Sequence, residues 1–223
     1  MKRTPLAERE MPSYTKKEEF LNTLTHAIGV PIGIAVLISS LVITLRSGDA
    51  AAIASSAFYG FSMIALYAVS SVYHGLPMGM GKRVMRVVDH CTIFFLIAGT
   101  YAPILLAGIR PSHPTLAWII FAAEFVLAVL GAVLNGIDLK RYKVFSMICY
   151  LFMGWLIIFS IREAIEAMTK TGFWWLLSGG IAFTIGAVLY GVGKKKRYIH
   201  SVFHVFVVIG TVLQAVSVIF YVL

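Results

Sequence analysis

The chain has 223 residues, 59% of them hydrophobic and 13% charged, with apolar runs of about 20 residues, the length that spans a bilayer. That distribution excludes a soluble globular domain, whose helices would alternate polar and apolar faces, and identifies a polytopic helical membrane protein of the cell membrane. The net charge of +9 is divided among separate inter-helix clusters rather than gathered on one face, which excludes a nucleic-acid partner and points to membrane sidedness.

In chain order, residues 1–25 read as a polar, basic cytosolic segment with an interfacial helix, and 26–223 as one transmembrane domain. From Met1 to Phe20 there is no apolar core or small-residue cleavage site, so the first span is expected to target the chain itself. Seven spans are predicted at about 26–45, 52–75, 87–108, 115–136, 144–162, 172–192 and 199–222, each long enough to cross. The expected fold is therefore all-α, a seven-transmembrane bundle. Segments such as Gly75-Leu76-Pro77 and Arg110-Pro111-Ser112-His113-Pro114 stop one helix and start the next. Cys91 and Cys149 fall inside spans, where a thiol behaves as a small hydrophobe, so no disulfide framework is expected.

Lys and Arg set the orientation. One set of segments carries Lys2, Arg3, Arg9, Lys16, Lys17, Lys82, Arg83, Arg86, Lys140, Arg141, Lys143, Lys194, Lys195, Lys196 and Arg197; the other carries only Arg46, Arg110, Arg162 and Lys170. The bias alternates strictly along the chain, which predicts a cytosolic N-terminus, an external C-terminus and an odd number of crossings.

With the spans threaded this way, the second ends at the cytosolic side with His74, the third begins there near Asp89, and the seventh begins there with His200 and His204. The i, i+4 spacing of His200 and His204 stacks both imidazoles on one helix face, as when one helix supplies two metal ligands, and Ser70 and His74 repeat it. Any one of these histidines is explained by a helix end at the headgroup boundary. The set is not, because an ionisable residue within a span needs a partner, and His204 lies roughly 10 Å beyond Arg197 at about 1.5 Å per residue. Three neutral imidazoles with an open position describe a catalytic zinc site, which acidifies a bound water and polarises a carbonyl. Asp89 has three roles open to it: accepting the water's proton, orienting a histidine, or binding the metal. Ser70 is placed to hydrogen-bond the water, Asp89 or a developing oxyanion.

These residues carry a resemblance. The Glu19-Phe20-Leu21-Asn22-Thr23-Leu24-Thr25-His26 approach to the first span, Ser70-x3-His74, Asp89-His90 with Gly99-Thr100-Tyr101 beyond, and His200-x3-His204 together resemble the bacterial hemolysin III family. That family is a branch of the progestin and adipoQ receptor proteins, similar in turn to alkaline ceramidases. The resemblance spans nearly the whole chain, and it implies zinc held by His74, His200 and His204 with Ser70 and Asp89 beside it.

Other polar residues were weighed against structural roles. Glu19, Asn22 and His26 share one helical face at i, i+3 and i+7, and either line the same polar chamber or form a capped interfacial turn. His90 lies about 100° around the helix from Asp89 and is expected to face elsewhere, while His113 belongs to the outer side; neither is expected to be a ligand. Glu124, mid-span, calls for protonation or a polar partner, with a structural hydrogen bond the favoured role. Gly29 and Gly33 around Pro31 read as a close-packing pair. The expected function is a zinc-dependent hydrolase of a lipid amide or ester at the cytosolic leaflet, with membrane lipid as substrate or ligand. The alternatives are a non-enzymatic membrane sensor with structural zinc and, last, a pore, since the polar set gathers at one end rather than running the full depth.

Overall fold

The computed structural model describes residues 4–192 and 196–223, so that Lys2, Arg3, Lys194 and Lys195 of the charge count lie outside the described residues. Seven α-helices are described: α1 (Lys16–Ser47), α2 (Ala50–Gly75), α3 (Met80–Pro103), α4 (Pro114–Asp138), α5 (Lys143–Gly154), α6 (Ile161–Val192) and α7 (Ile199–Ser217). Six helical stretches are long and apolar enough to cross a membrane. The fifth of them runs from Lys143 to Gly191 and covers both predicted spans at 144–162 and 172–192.

α1 begins ahead of the apolar run because Thr15 caps it: its hydroxyl accepts from the Glu18 N–H while the Glu18 carboxylate accepts from the Thr15 N–H, which satisfies donors on both sides of the helix start. It ends at Gly48, whose φ of 68° is the left-handed conformation glycine adopts without steric cost. Along its length α1 packs on α2 so closely that a methyl group on Gly29 would sit 2.2 Å from the Tyr67 ring, so Gly29 is a close-packing residue as expected.

α3 is the central helix: 72% of its most apolar stretch is buried, against 28% for α1 and α4, whose remaining faces are apolar and turned outward. Pro103 lacks an N–H to continue the ladder, and the helix carries on through a wider π-helical turn at Ile104–Ile109. The second irregular stretch is a 3-10 turn at Leu156–Ser160 between α5 and α6. Its exposed backbone is satisfied from α3, where the Tyr101 hydroxyl accepts from the Ile157 N–H at 2.8 Å and donates to the Gly154 carbonyl at 3.2 Å. Irregular backbone at membrane depth requires such a partner. Further along, Thr169 interrupts α6 with φ 66° and ψ 166°, a non-helical conformation that kinks the chain. Both cysteines are free, as expected.

Glu124 faces inward from α4 and is fully buried, but neither carboxylate oxygen has a hydrogen-bond partner among the described residues. The structural hydrogen bond expected for it is therefore absent there.

Candidate metal centre

Three helix ends build the site. α2 presents His74 in its last turn, α7 presents His200 and His204 in its first two turns, and α1 lays its polar entrance turn across both. The start of α7 is docked on the α1 cap, since the Tyr198 N–H donates to the free oxygen of Glu18 at 2.9 Å. The inward aim of His204 follows from its place on the buried stripe Ser201, His204, Val207 and Thr211, at the helical spacing of three and four. Across the bundle the Tyr67 hydroxyl donates to Thr211 at 2.8 Å, fixing α2 against α7 two turns below the histidines.

His200 Nε2 lies 3.4 Å from His74 Nε2 and 3.1 Å from His204 Nε2, and one ligand atom from each of the three lies within 4.8 Å of the others. Zinc–nitrogen bonds of about 2.0–2.1 Å in a tetrahedron place ligand nitrogens roughly 3.3 to 3.4 Å apart, so the spacing fits a shared ion. The opposite ring nitrogens agree. His74 Nδ1 is 2.7 Å from Glu19 Oε2, and His204 Nδ1 is 3.3 Å from the Asn22 carbonyl and 3.4 Å from the Thr25 hydroxyl. A neutral imidazole that donates from Nδ1 keeps its lone pair on Nε2. The Nε2 atoms of His74 and His204 are thereby left free to accept an ion, with a carboxylate behind one ring and a carbonyl behind the other, the support usual for a metal-binding histidine.

Glu19 is itself held. Lys82, only 4% exposed, directs its ammonium at three acceptors: Glu19 Oε1 at 2.8 Å, the Leu76 carbonyl at 2.9 Å and the His74 carbonyl at 3.2 Å. Asn22 accepts from the Ser201 hydroxyl at 2.6 Å, tying α1 to α7 between the two histidines of that helix. The face Glu19-Asn22-His26 therefore lines the chamber. His26 stacks on His204 with ring centroids 3.7 Å apart, and both its ring nitrogens are buried without a hydrogen-bond partner among the described residues.

Ser70 and Asp89 stand beside the cluster rather than in it. Both line a cleft of about 170 Å³ that also takes in His26, His200 and His204 and continues between α3, α5, α6 and α7 along Ile93, Leu96, Trp155, Phe173 and Phe183. Its volume is below the roughly 300 to 1,000 Å³ of drug-sized ligand pockets, and its wall is predominantly apolar, so a single narrow chain is the shape it suits. His90 departs from expectation: its Nδ1 lies 3.6 Å from Asp89 Oδ2 and it lines the same cleft. A separation of 100° turns a side chain away from a partner only on a helix with one buried face, and α3 is surrounded on most sides. His113 is exposed, 3.2 Å from Glu166 at the far end, away from the cluster as expected.

A second cavity, of about 740 Å³, opens at the histidine end. One wall is the N-terminal segment, where Tyr14 stacks on His200 with centroids 5.0 Å apart. Burial pushes the Tyr14 phenol well above its ordinary pKa, so it faces the imidazole uncharged.

Lys82 escaped sequence reasoning because its charge sits in a cluster that membrane sidedness already explains. Its spacing of eight residues from His74 across a Gly-Leu-Pro turn is the one sign of its role.

A family model described as "Haemolysin-III related" matches residues 14–215. The chain is similar to hemolysin-3 of Bacillus cereus, 36% identical over 93% of each chain, and to the hemolysin-3 homolog of Bacillus subtilis (strain 168), 34% identical over 93% of this chain and 96% of the relative. It is also similar to the human monocyte to macrophage differentiation factor, 28% identical over 92% of this chain and 84% of the relative.

Proposed function

The chain belongs to the haemolysin-III related family of multi-pass membrane proteins, and on that premise we propose that it is a seven-crossing, zinc-binding hydrolase of a lipid amide or ester at the cytosolic leaflet. The observation that carries the proposal is the meeting of three imidazole Nε2 atoms, 3.1 and 3.4 Å apart, at the head of an apolar cleft.

Seven crossings are supported by parity. α2 ends where α7 begins, because His74 and His200 touch, and α3 and α4 together return the chain to that side. Lys143 and Arg197 line one cavity, so the 49 residues from Lys143 to Gly191 leave and come back. At about 1.5 Å per residue that stretch exceeds twice the roughly 30 Å hydrocarbon core, and Thr169 supplies the reversal. The excess of Lys and Arg at the histidine end supports a cytosolic position for it.

His74, His200 and His204 would hold the zinc. When bound, zinc supplies Lewis acidity, polarising a carbonyl and acidifying water. The chain's own groups divide the remaining work. Glu19 keeps the His74 lone pair on Nε2. Asp89, at the rim of the cleft with 15% of its side chain exposed, takes the proton of the attacking water and passes it to the leaving amine or alcohol. The Ser70 hydroxyl donates to the carbonyl oxygen as negative charge develops on it. The apolar cleft seats the acyl chain and keeps bulk water from the reacting carbonyl.

Purified protein incubated with lipid amides and esters, with and without a chelator, tests the reading by mass spectrometry of released fatty acid. Chelator-sensitive release is expected, and substrate unchanged in both samples removes the enzyme claim. Metal retained without turnover of any lipid favours the sensor reading with structural zinc.

A further inference from the structure

We propose that the 740 Å³ vestibule at the histidine end is an anion site that takes a phosphoryl group, the headgroup of the amphiphile whose chain enters the apolar cleft.

Two guanidiniums without full partners carry the argument. Arg9 is 8% exposed and lines the vestibule; its Nε donates to the Thr4 carbonyl and its Nη2 to the Ile137 carbonyl, but Nη1 is buried with no acceptor among the described residues. Arg86, from α3, donates through Nη1 to the Glu10 carbonyl while its buried Nε has none. Of the four acids of the same wall, Glu8 is exposed at the rim and the other three are already engaged. Glu10 pairs with Lys140 at 3.0 Å, Glu18 accepts from Thr15 and from the Tyr198 amide, and Asp138 accepts from the amides of Lys140 and Arg141. Lys143 and Arg197 add positive charge to the lining.

Membrane sidedness accounts for cations in water at the interface. It does not account for a nine-tenths buried guanidinium with an unused N–H, a state that is costly unless an acceptor arrives. Guanidiniums that line one cavity from two elements, with further cations around them, suit an anion with several oxygens, and guanidinium forks match phosphoryl geometry.

The vestibule and the apolar cleft share His90, Met147, Tyr150, Tyr190 and His200. A headgroup in the first and a chain in the second therefore place the linkage between them beside His200. This second half rests on the hydrolase reading; the anion site stands without it.

The test uses full-length protein in uncharged detergent, with thermal stabilisation and equilibrium binding read for lysophosphatidic acid, monoacylglycerol and inorganic phosphate. Lysophosphatidic acid is expected to bind at least about tenfold tighter than monoacylglycerol, the worth of one or two charge-assisted hydrogen bonds. The preference is expected to fall about tenfold in Arg9→Gln and Arg86→Gln, with monoacylglycerol binding unchanged. Since both arginines also anchor the N-terminal segment, Lys143→Gln, which anchors nothing there, serves as the independent variant and is expected to weaken the preference as well. The preference should persist after chelation, so a failure of hydrolysis leaves it intact. Stabilisation by phosphate alone, with no gain from the chain, assigns the site to the free anion and removes the headgroup half. Equal affinity for the charged and uncharged lipids overturns the proposal.

Discussion

An imidazole that binds a metal has to lose its choice of tautomer, and in this chain that choice is made by residues that are not ligands. Glu19 accepts a hydrogen bond from the Nδ1–H of His74, and Lys82 holds Glu19. Glu19→Gln keeps the shape and removes the charge, so zinc affinity is expected to drop 10- to 100-fold, the usual cost of losing a partner behind a metal ligand; competition with a chromophoric chelator measures it. Lys82→Met should do more. It leaves the part-exposed Glu19 carboxylate without its cation and two carbonyls at the end of α2 without a donor, an expected loss of about 1 to 3 kcal/mol, read as a lowered Tm of the metal-free protein together with weaker zinc binding. At this scale the histidine cluster was legible in the sequence, because His200 and His204 lie one turn apart and His74 closes a span. The i, i+3, i+7 face of Glu19, Asn22 and His26 was legible too, but not which ring nitrogen Glu19 meets, since that depends on how two consecutive helices bring together residues 55 apart in the chain.

Helices in a bilayer are dictated by hydropathy along most of their length, and their irregularities by single polar atoms. The spans were readable because lipid demands long apolar runs with internally bonded backbone. The 3-10 turn at Leu156–Ser160 was not, because the one glycine beside it, Gly154, falls inside an unbroken apolar run and its support comes from α3. That support is the Tyr101 hydroxyl. Tyr101→Phe should therefore cost about 1 to 3 kcal/mol, the penalty for a buried N–H left without an acceptor. Tyr59 provides the contrast: it is equally buried, but its hydroxyl has no hydrogen-bond partner among the described residues. Tyr59→Phe removes an unsatisfied group and should be neutral or stabilising. Thermal melts of the two variants in one detergent decide the matter, and equal losses would mean that the Tyr101 bond does not support the turn.

For the molecule as a whole, the histidine cluster and the membrane topology constrain each other. Histidines contributed by the end of α2 and the start of α7 meet only if the chain between them crosses an even number of times. α3 and α4 use two crossings, which leaves none or two for the stretch from Lys143 to Gly191, and a stretch of this length and hydropathy does not lie outside the bilayer. Two crossings put Lys140 and Arg197 on one side and Lys170 on the other; a single crossing would separate Lys140 from Arg197 and pull His200 away from His74. Single-cysteine reporters at these three positions, in a chain with Cys91 and Cys149 replaced by Ala, distinguish the cases by labelling intact cells with a membrane-impermeant maleimide. The reporter at position 170 should label from outside, and those at 140 and 197 only after the membrane is opened. Labelling at 197 but not 140 in intact cells would break the parity, and with it the shared ion.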